Sequence, residues 1–387
     1  MTQSSTASLA RRERVFAGYR LVLPEGVAYG TLVVRDGAIA EIVVDDRPPA
    51  DAETAEFLLP GLVELHTDNF EKCVAPRPGT RWPLAAAAVY HDRDLIGAGI
   101  TTVCDAVAIG DVRSGSTRMT HSAQMIATIT DGARAGTFRV DHKLHLRCEL
   151  SFFDLVPIVE QYIDEPIVAL VSVMDHTPGE RQFVDLETFK RYQVGRHGAP
   201  PEGIDAFIET LRANKERWSA SNRAAIVALA KARGIALASH DDAIPEHVAQ
   251  AVAEGAAIAE FPTTIEAAEA ARAARLHVLM GAPNVVLGRS HSGNIAALDL
   301  AARGLVDVLS SDYAPQSLLH AAFVMAERLG LPISTTVKTV TETPAEVLGL
   351  DDRGALEVGR RADVLTVRVV DGLPRLTSVN VQGERVG

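Results

Sequence analysis

His66 and Asp68 close an apolar run in the segment LLPGLVELHTDN, residues 58–69. In a strand, residues i and i+2 share a face, so both side chains project past the strand's end together. The pattern recurs along the chain. Apolar segments that read as strands end in Arg147 and Glu149 (HKLHLRCEL) and in Asp175 and His176 (IVALVSVMDH). Two more end in His240, Asp241 and Asp242 (IALASHDDA) and in Asp312 (VDVLSSD). One polar residue at a strand end is ordinary loop chemistry, but this repetition describes a metal centre. Imidazole with carboxylate suits zinc, manganese or iron, whereas oxygen-only sets suit magnesium or calcium. One or two such ions would activate water for a hydrolysis. On this reading His66 and Asp68 serve one ion, His176 and His240 the other, and Glu149 bridges them. Asp312 binds the first ion and takes the water's proton. An orienting role for Glu149 and His176, in place of ligation, stays open.

Cationic groups surround this set. In HKLHLRCEL, Lys143, His145, Arg147 and Glu149 alternate with Leu144, Leu146, Cys148 and Leu150. Period two makes one face apolar and the other ionisable. Inside a barrel such a face requires partners, metals or an anionic ligand, which gives Lys143 and Arg147 a substrate role. Lys72, Arg77 and Arg81 lie in NFEKCVAPRPGTRWP, a Pro/Gly-stiffened loop after the first strand. Arg181 follows the fourth strand and Arg289 lies in GRSHSGN; arginine suits bidentate phosphate contacts. Asp241, Asn284 in MGAPN and His291 are further polar groups in strand-end loops, suited to contact a ligand or to organise turns.

These residues must be positioned by eight short apolar strands alternating with helical patterns. The strands are LLPGLVELH, ITTVCDA, KLHLRCEL, IVALVSVMDH, IALASH, AAIAEF, LHVLMGA and VDVLSSD. Helices such as LAAAAVYHDRDLIGAG and TTIEAAEAARAARL intervene. The alternation predicts an α/β protein with a (β/α)8 TIM-like barrel, whose active site forms at the C-terminal ends of the strands. No G-x-G-x-x-G opens the first unit, so a dinucleotide fold is disfavoured. Val-, Ile- and Leu-rich segments with Gly turns begin and end the chain. They predict a small β-domain from residues 1–56 and 350–387 bracketing a barrel at 57–349.

The composition is that of a soluble globular protein: 387 residues, 47% hydrophobic and 23% charged. A net charge of −12 disfavours nucleic-acid binding. No apolar run is long enough to cross a bilayer, and the N-terminus lacks a secretory signal's apolar core. Three cysteines make a disulfide framework improbable and favour the cytoplasm. A homodimer is the default expectation for assembly.

The motifs LLPGLVELHTDN, PRPGTRWP, HLRCEL, VSVMDHTPGERQF, ALASHDDA, AEFPTT, LMGAPN, SHSGN and SSDYAP together resemble the amidohydrolase superfamily. More narrowly, they resemble the diphosphatases of the carbon–phosphorus lyase route of phosphonate use. That resemblance implies a metal-dependent hydrolysis of a ribose 1-alkylphosphonate 5-triphosphate between the α- and β-phosphates. The chain departs from the wider superfamily in three places. Asp68 replaces the second histidine of His-x-His, strand four lacks the bridging lysine, and Glu260 stands where strand six usually has a histidine. Arg289 stands where a glycine is expected. The rival readings are an amidohydrolase of cyclic amides or N-acyl substrates, which has little use for the cations, and a non-catalytic protein that has lost its metals.

Overall fold

The computed structural model describes residues 13–77, 79–111, 118–179, 181, 186–187, 189–191, 203–290 and 293–387. Within them lie two sheets. The first has seven strands in the order β15-β14-β13-β4-β1-β2-β3. β1 (Glu13–Leu23), β2 (Gly26–Arg35) and β3 (Ala38–Val44) form a meander. β13 (Val364–Val370), β14 (Leu373–Val381) and β15 (Glu384–Arg385) form another. β4 (Phe57–Pro60) joins them, parallel to β1 and antiparallel to β13.

The second sheet is the barrel. It comprises β5 (Leu62–Thr67), β6 (Ile100–Ile109), β7 (Asp141–Glu149), β8 (Val168–Met174), β9 (Ala236–His240), β10 (Ile258–Glu260), β11 (His277–Gly281) and β12 (Val308–Ser310). Successive strands pair in parallel from β5 to β12. The seam between β12 and β5 closes through a parallel bridge from Thr67 to Asp312. There the Asp68 amide donates to Asp312 O at 2.9 Å, and the Asp312 amide to His66 O at 3.0 Å. Buried Glu64 reinforces the seam, accepting from the His66 amide at 2.7 Å and the Ser311 amide at 2.6 Å. Burial pushes its carboxyl up to about 8.

LLPGLVELH, which reads as one strand, is therefore two. The chain changes sheets at Gly61, where a Cβ would lie 2.2 Å from Thr101 Oγ1. Only glycine lets the backbone pass that close. Strand alternation then sorts the core. Val63, Leu65, Cys104, Leu170, Ala238, Ile258, Leu279 and Val308 fill the barrel's lower interior. On the outer face, Leu144, Leu146 and Cys148 pack with Ile226 and Ala230 of the helix Ala220–Ala232. The intervening helices begin and stop where their residues dictate. Leu84–Ala98 ends on Gly99 in the left-handed conformation, and Ile265–Ala273 is capped by Thr264, whose side chain accepts from the Ala267 amide.

Candidate metal centre

The C-terminal ends of β5, β7, β8, β9, β10 and the seam bring the sequence-selected residues together. His66 and His240 stand in β5 and β9 with their rings 6.1 Å apart and nearly parallel. Glu260, the last residue of β10, lies between them. Its Oε1 is 2.6 Å from His66 Nδ1 and its Oε2 is 2.6 Å from His240 Nδ1. Burial alone would raise the Glu260 pKa, but the imidazoles of His66 and His240 that its two oxygens contact hold it well below the usual range. Phe261 packs edge-on against both the His66 and His240 rings.

With Nδ1 engaged, each imidazole offers Nε2 to the barrel mouth. His66 Nε2 is 3.9 Å from Asp68 Oδ1, and donor atoms of His66, Asp68 and Asp312 lie within 4.8 Å of one another. The same criterion groups His176, His240 and Asp241. Asp241 Oδ2 is 3.4 Å from His240 Nε2 and 3.8 Å from His176 Nε2. That oxygen is buried without a hydrogen-bond partner. A buried anionic oxygen facing two imidazole nitrogens fits a cation, since an orphaned carboxylate oxygen is otherwise costly. Asp241 and Asp312 both adopt left-handed backbone, φ +54° and +52°, which aspartate tolerates better than most residues.

Glu149 and Arg147 each contact another member of this set. Glu149 Oε2 accepts from His176 Nδ1 at 2.7 Å and Oε1 from Ser151 Oγ at 3.0 Å. It contacts His176 much as Glu260 contacts the other two histidines. Burial would raise the Glu149 pKa, but His176 lowers it below the usual range. Arg147 Nη1 donates to Asp68 Oδ1 at 2.8 Å. Burial opposes its charge, yet Asp68, Glu260 and Asp312 raise its pKa. Lys143 shares Arg147's strand face but sits near the opposite, N-terminal end of β7, 3.5 Å from Asp141. Each strand residue advances about 3.3 Å, so four residues separate it from the mouth.

Arg181 is buried and directed inward, donating to His240 O at 3.0 Å and to Asp242 Oδ1 at 2.7 Å. It braces the end of β9. Asn284, in the short helix Ala282–Leu287, ties that helix to a later segment: Nδ2 donates to Ile295 O at 3.3 Å, and Oδ1 accepts from the Ala297 amide at 3.0 Å. Lys72, Arg77, Arg81 and Arg289 are exposed. His291 lies outside the described residues. His145, beneath His66, is held by Leu65 O and Ser172 Oγ, and burial keeps it neutral by lowering its pKa to about 3.

Polar clusters away from the mouth escaped the sequence reading. His91 Nε2 and His142 Nδ1 bond the two oxygens of Asp105 at 2.5 and 2.7 Å. Asn69 Nδ2 approaches His91 Nδ1 at 3.1 Å, and Asp92 Oδ1 lies 3.4 Å from His142 Nε2. This chain runs from the residue after Asp68 to the entry of β7, where Asp92 accepts from the Arg139 and Val140 amides. Its members come from four separate elements, and no local spacing announces it.

Residues 203–386 match the model of the amidohydrolase family. The chain is 46% identical to the alpha-D-ribose 1-methylphosphonate 5-triphosphate diphosphatase of Escherichia coli (strain K12), over 95% of this chain and 98% of that protein. The chain belongs to the amidohydrolase family. Solved amidohydrolase structures share its architecture. One amidohydrolase superposes with a TM-score of 0.63 at 16% identity, covering 97% of this chain and 99% of the other. The N-acetylglucosamine-6-phosphate deacetylase from Pasteurella multocida gives 0.60 at 12% identity, covering 97% of this chain and all of that chain, 100%. At these identities the likeness is one of fold. The amidohydrolase barrel accounts for the convergence of donors at one rim, because strand C-termini all open there.

Proposed function

We propose that this amidohydrolase cleaves an α-D-ribose 1-alkylphosphonate 5-triphosphate between its α- and β-phosphorus atoms. The products are the ribose 1-alkylphosphonate 5-phosphate and diphosphate. The observation that carries this reading is the near-full-length relationship to the Escherichia coli diphosphatase. The donor set supports it, because its chemistry suits zinc, manganese or iron. His66, Asp68 and Asp312 would hold one ion, and His176, His240 and Asp241 a second. Bound there, divalent ions neutralise phosphate charge and make water nucleophilic near neutral pH.

The chain's own residues do the rest. Asp312 accepts a proton from the attacking water as the water oxygen bonds to phosphorus. The bond from that phosphorus to the bridging oxygen breaks, and its electron pair leaves with the bridging oxygen. Arg147 neutralises charge on the phosphates, and the exposed Lys72, Arg77 and Arg81 add cations to the mouth. Glu149 holds His176 in orientation. The seven-stranded sheet forms a second domain that braces the barrel. The reading also makes this a cytoplasmic homodimer that handles a small phosphorylated sugar and neither nucleic acid nor membrane. No described helix is long and apolar enough to cross a membrane, and all three cysteines are free thiols.

The test compares ribose 1-methylphosphonate 5-triphosphate with a panel of cyclic amides, using Zn²⁺- or Mn²⁺-loaded protein. Wild type should turn over the triphosphate and not the amides. A combined Lys72→Ala, Arg77→Ala and Arg81→Ala variant should raise KM. Amide turnover that is insensitive to this variant would overturn the reading.

A further inference from the structure

We propose that Glu260 is the positioning residue of the metal centre, a single carboxylate that fixes His66 and His240 together as Nδ1–H tautomers and turns both Nε2 lone pairs toward the ions. The inference rests on the ligand set proposed above and goes beyond it by assigning Glu260 outside that set. Both carboxylate oxygens are engaged, each 2.6 Å from one Nδ1. Glu260 is 1% exposed and ends a three-residue strand held on both sides by β9 and β11, so it has little freedom to swing. A carboxylate accepts and never donates when ionised, so each facing Nδ1 must carry its proton. Each ring then has one nitrogen left, Nε2, with its lone pair available.

Neighbouring groups reinforce this assignment. Phe261 closes one side of both rings, and His145 is engaged by Leu65 O and Ser172 Oγ, so it does not compete for the carboxylate. Hydrogen bonds from ligating histidines to carboxylates fix ring orientation and raise ligand basicity. Here one group does this for histidines of both proposed sites. The two sites therefore share a common support, and perturbing it affects both.

Glu260→Gln separates this role from ligation. The amide offers one acceptor oxygen, so one histidine keeps its Nδ1–H bond. The other faces an NH₂ group, must accept at Nδ1, and carries its proton on Nε2, where it can no longer ligate. The experiment uses full-length, metal-free protein labelled with ¹⁵N-histidine. Long-range ¹H–¹⁵N correlation spectra are assigned with His66→Asn and His240→Asn variants, and chelator-competition titration with Zn²⁺ runs alongside. Both rings should be Nδ1–H in wild type, and one should switch to Nε2–H in Glu260→Gln. Zn²⁺ affinity should fall about 10- to 100-fold in the variant. Nε2–H tautomers in wild type would overturn the proposal, as would a variant that loses affinity with both tautomers unchanged. Wild-type protein that takes up no Zn²⁺ would instead overturn the ligand set, and the tautomers would still decide the role of Glu260.

Discussion

Arg147 Nη1 donates to Asp68 Oδ1 at 2.8 Å, so a cation already leans on the carboxylate that β5 presents beside His66. The pair is partly open to solvent, with Asp68 22% exposed. An arginine so placed opposes a metal ion electrostatically and attracts a polyphosphate. Arg147→Ala should therefore raise KM for the triphosphate by about 10- to 100-fold, as expected for loss of a charge-assisted contact. Divalent-metal affinity should hold or rise. Steady-state kinetics with parallel metal titration checks both, and an unchanged KM would count against Arg147 as a substrate contact.

Asp312→Asn tests the proton acceptor. The seam depends on the backbone of residue 312, and asparagine also tolerates left-handed φ, so the fold should survive. The amide cannot take a proton, and kcat should fall by about 10² to 10⁴. Wild-type turnover in a folded variant would remove Asp312 from the chemistry.

Gly110, at φ +118°, lies where a Cβ would meet Glu149 Cβ at 2.7 Å and Phe152 Cβ at 3.0 Å. Gly110→Ala must displace Glu149, and through it His176. We expect a stability loss of about 1–3 kcal/mol from the strain and overpacking. Metal content after dialysis at limiting Zn²⁺ should also fall. Elemental analysis beside a denaturant titration measures both, and full metal content would show that Glu149 does not hold His176 in place.

The buried His142 gives the protein a pH signature. Burial would lower its pKa, but the charge and hydrogen bonds of Asp105 and Asp92 push it up from 6.5 to about 9. A raised folded-state pKa gives stability that is complete below about 6.5 and is lost as pH climbs through about 9. The loss is on the order of 3 kcal/mol. Asp105 works in the other direction: burial would raise it, yet His142 and His91 lower it to about 2. Its contribution fades as pH falls from 3.8 toward 2. In urea titrations between pH 6 and 10, His142→Gln should flatten the alkaline decline; a wild-type slope in that variant would contradict the network.

Strand alternation made the barrel and its rim legible. Period two places Arg147 and Glu149 on one face of β7 and His240 on the face of Ala238 in β9. His66, by contrast, reaches the rim through a register shift between Glu64 and Thr67, and Asp68 and Asp312 lie just beyond β5 and β12. Position along a strand was harder to read. Lys143 shares a face with Arg147 but lies toward the opposite end, and Arg181 turned inward because Asp242 is a buried partner. Pairings that span distant segments left no local trace. Glu260 reaches His66 across 194 residues, and Glu64 meets the Ser311 amide across 247. Those contacts depend on barrel closure, which one sequence does not display residue by residue. The change of sheet at Gly61 was hidden for a similar reason, since Pro-Gly reads equally well as a strand start.

The most direct test follows phosphorus. Mn²⁺- or Zn²⁺-loaded protein is incubated with ribose 1-methylphosphonate 5-triphosphate in ¹⁸O-enriched water and monitored by ³¹P NMR. Equimolar diphosphate and ribose 1-methylphosphonate 5-phosphate should appear, with ¹⁸O on one product at the phosphorus that water attacked. Release of orthophosphate in place of diphosphate, or no turnover by folded, metal-replete protein, would contradict cleavage between the α- and β-phosphates.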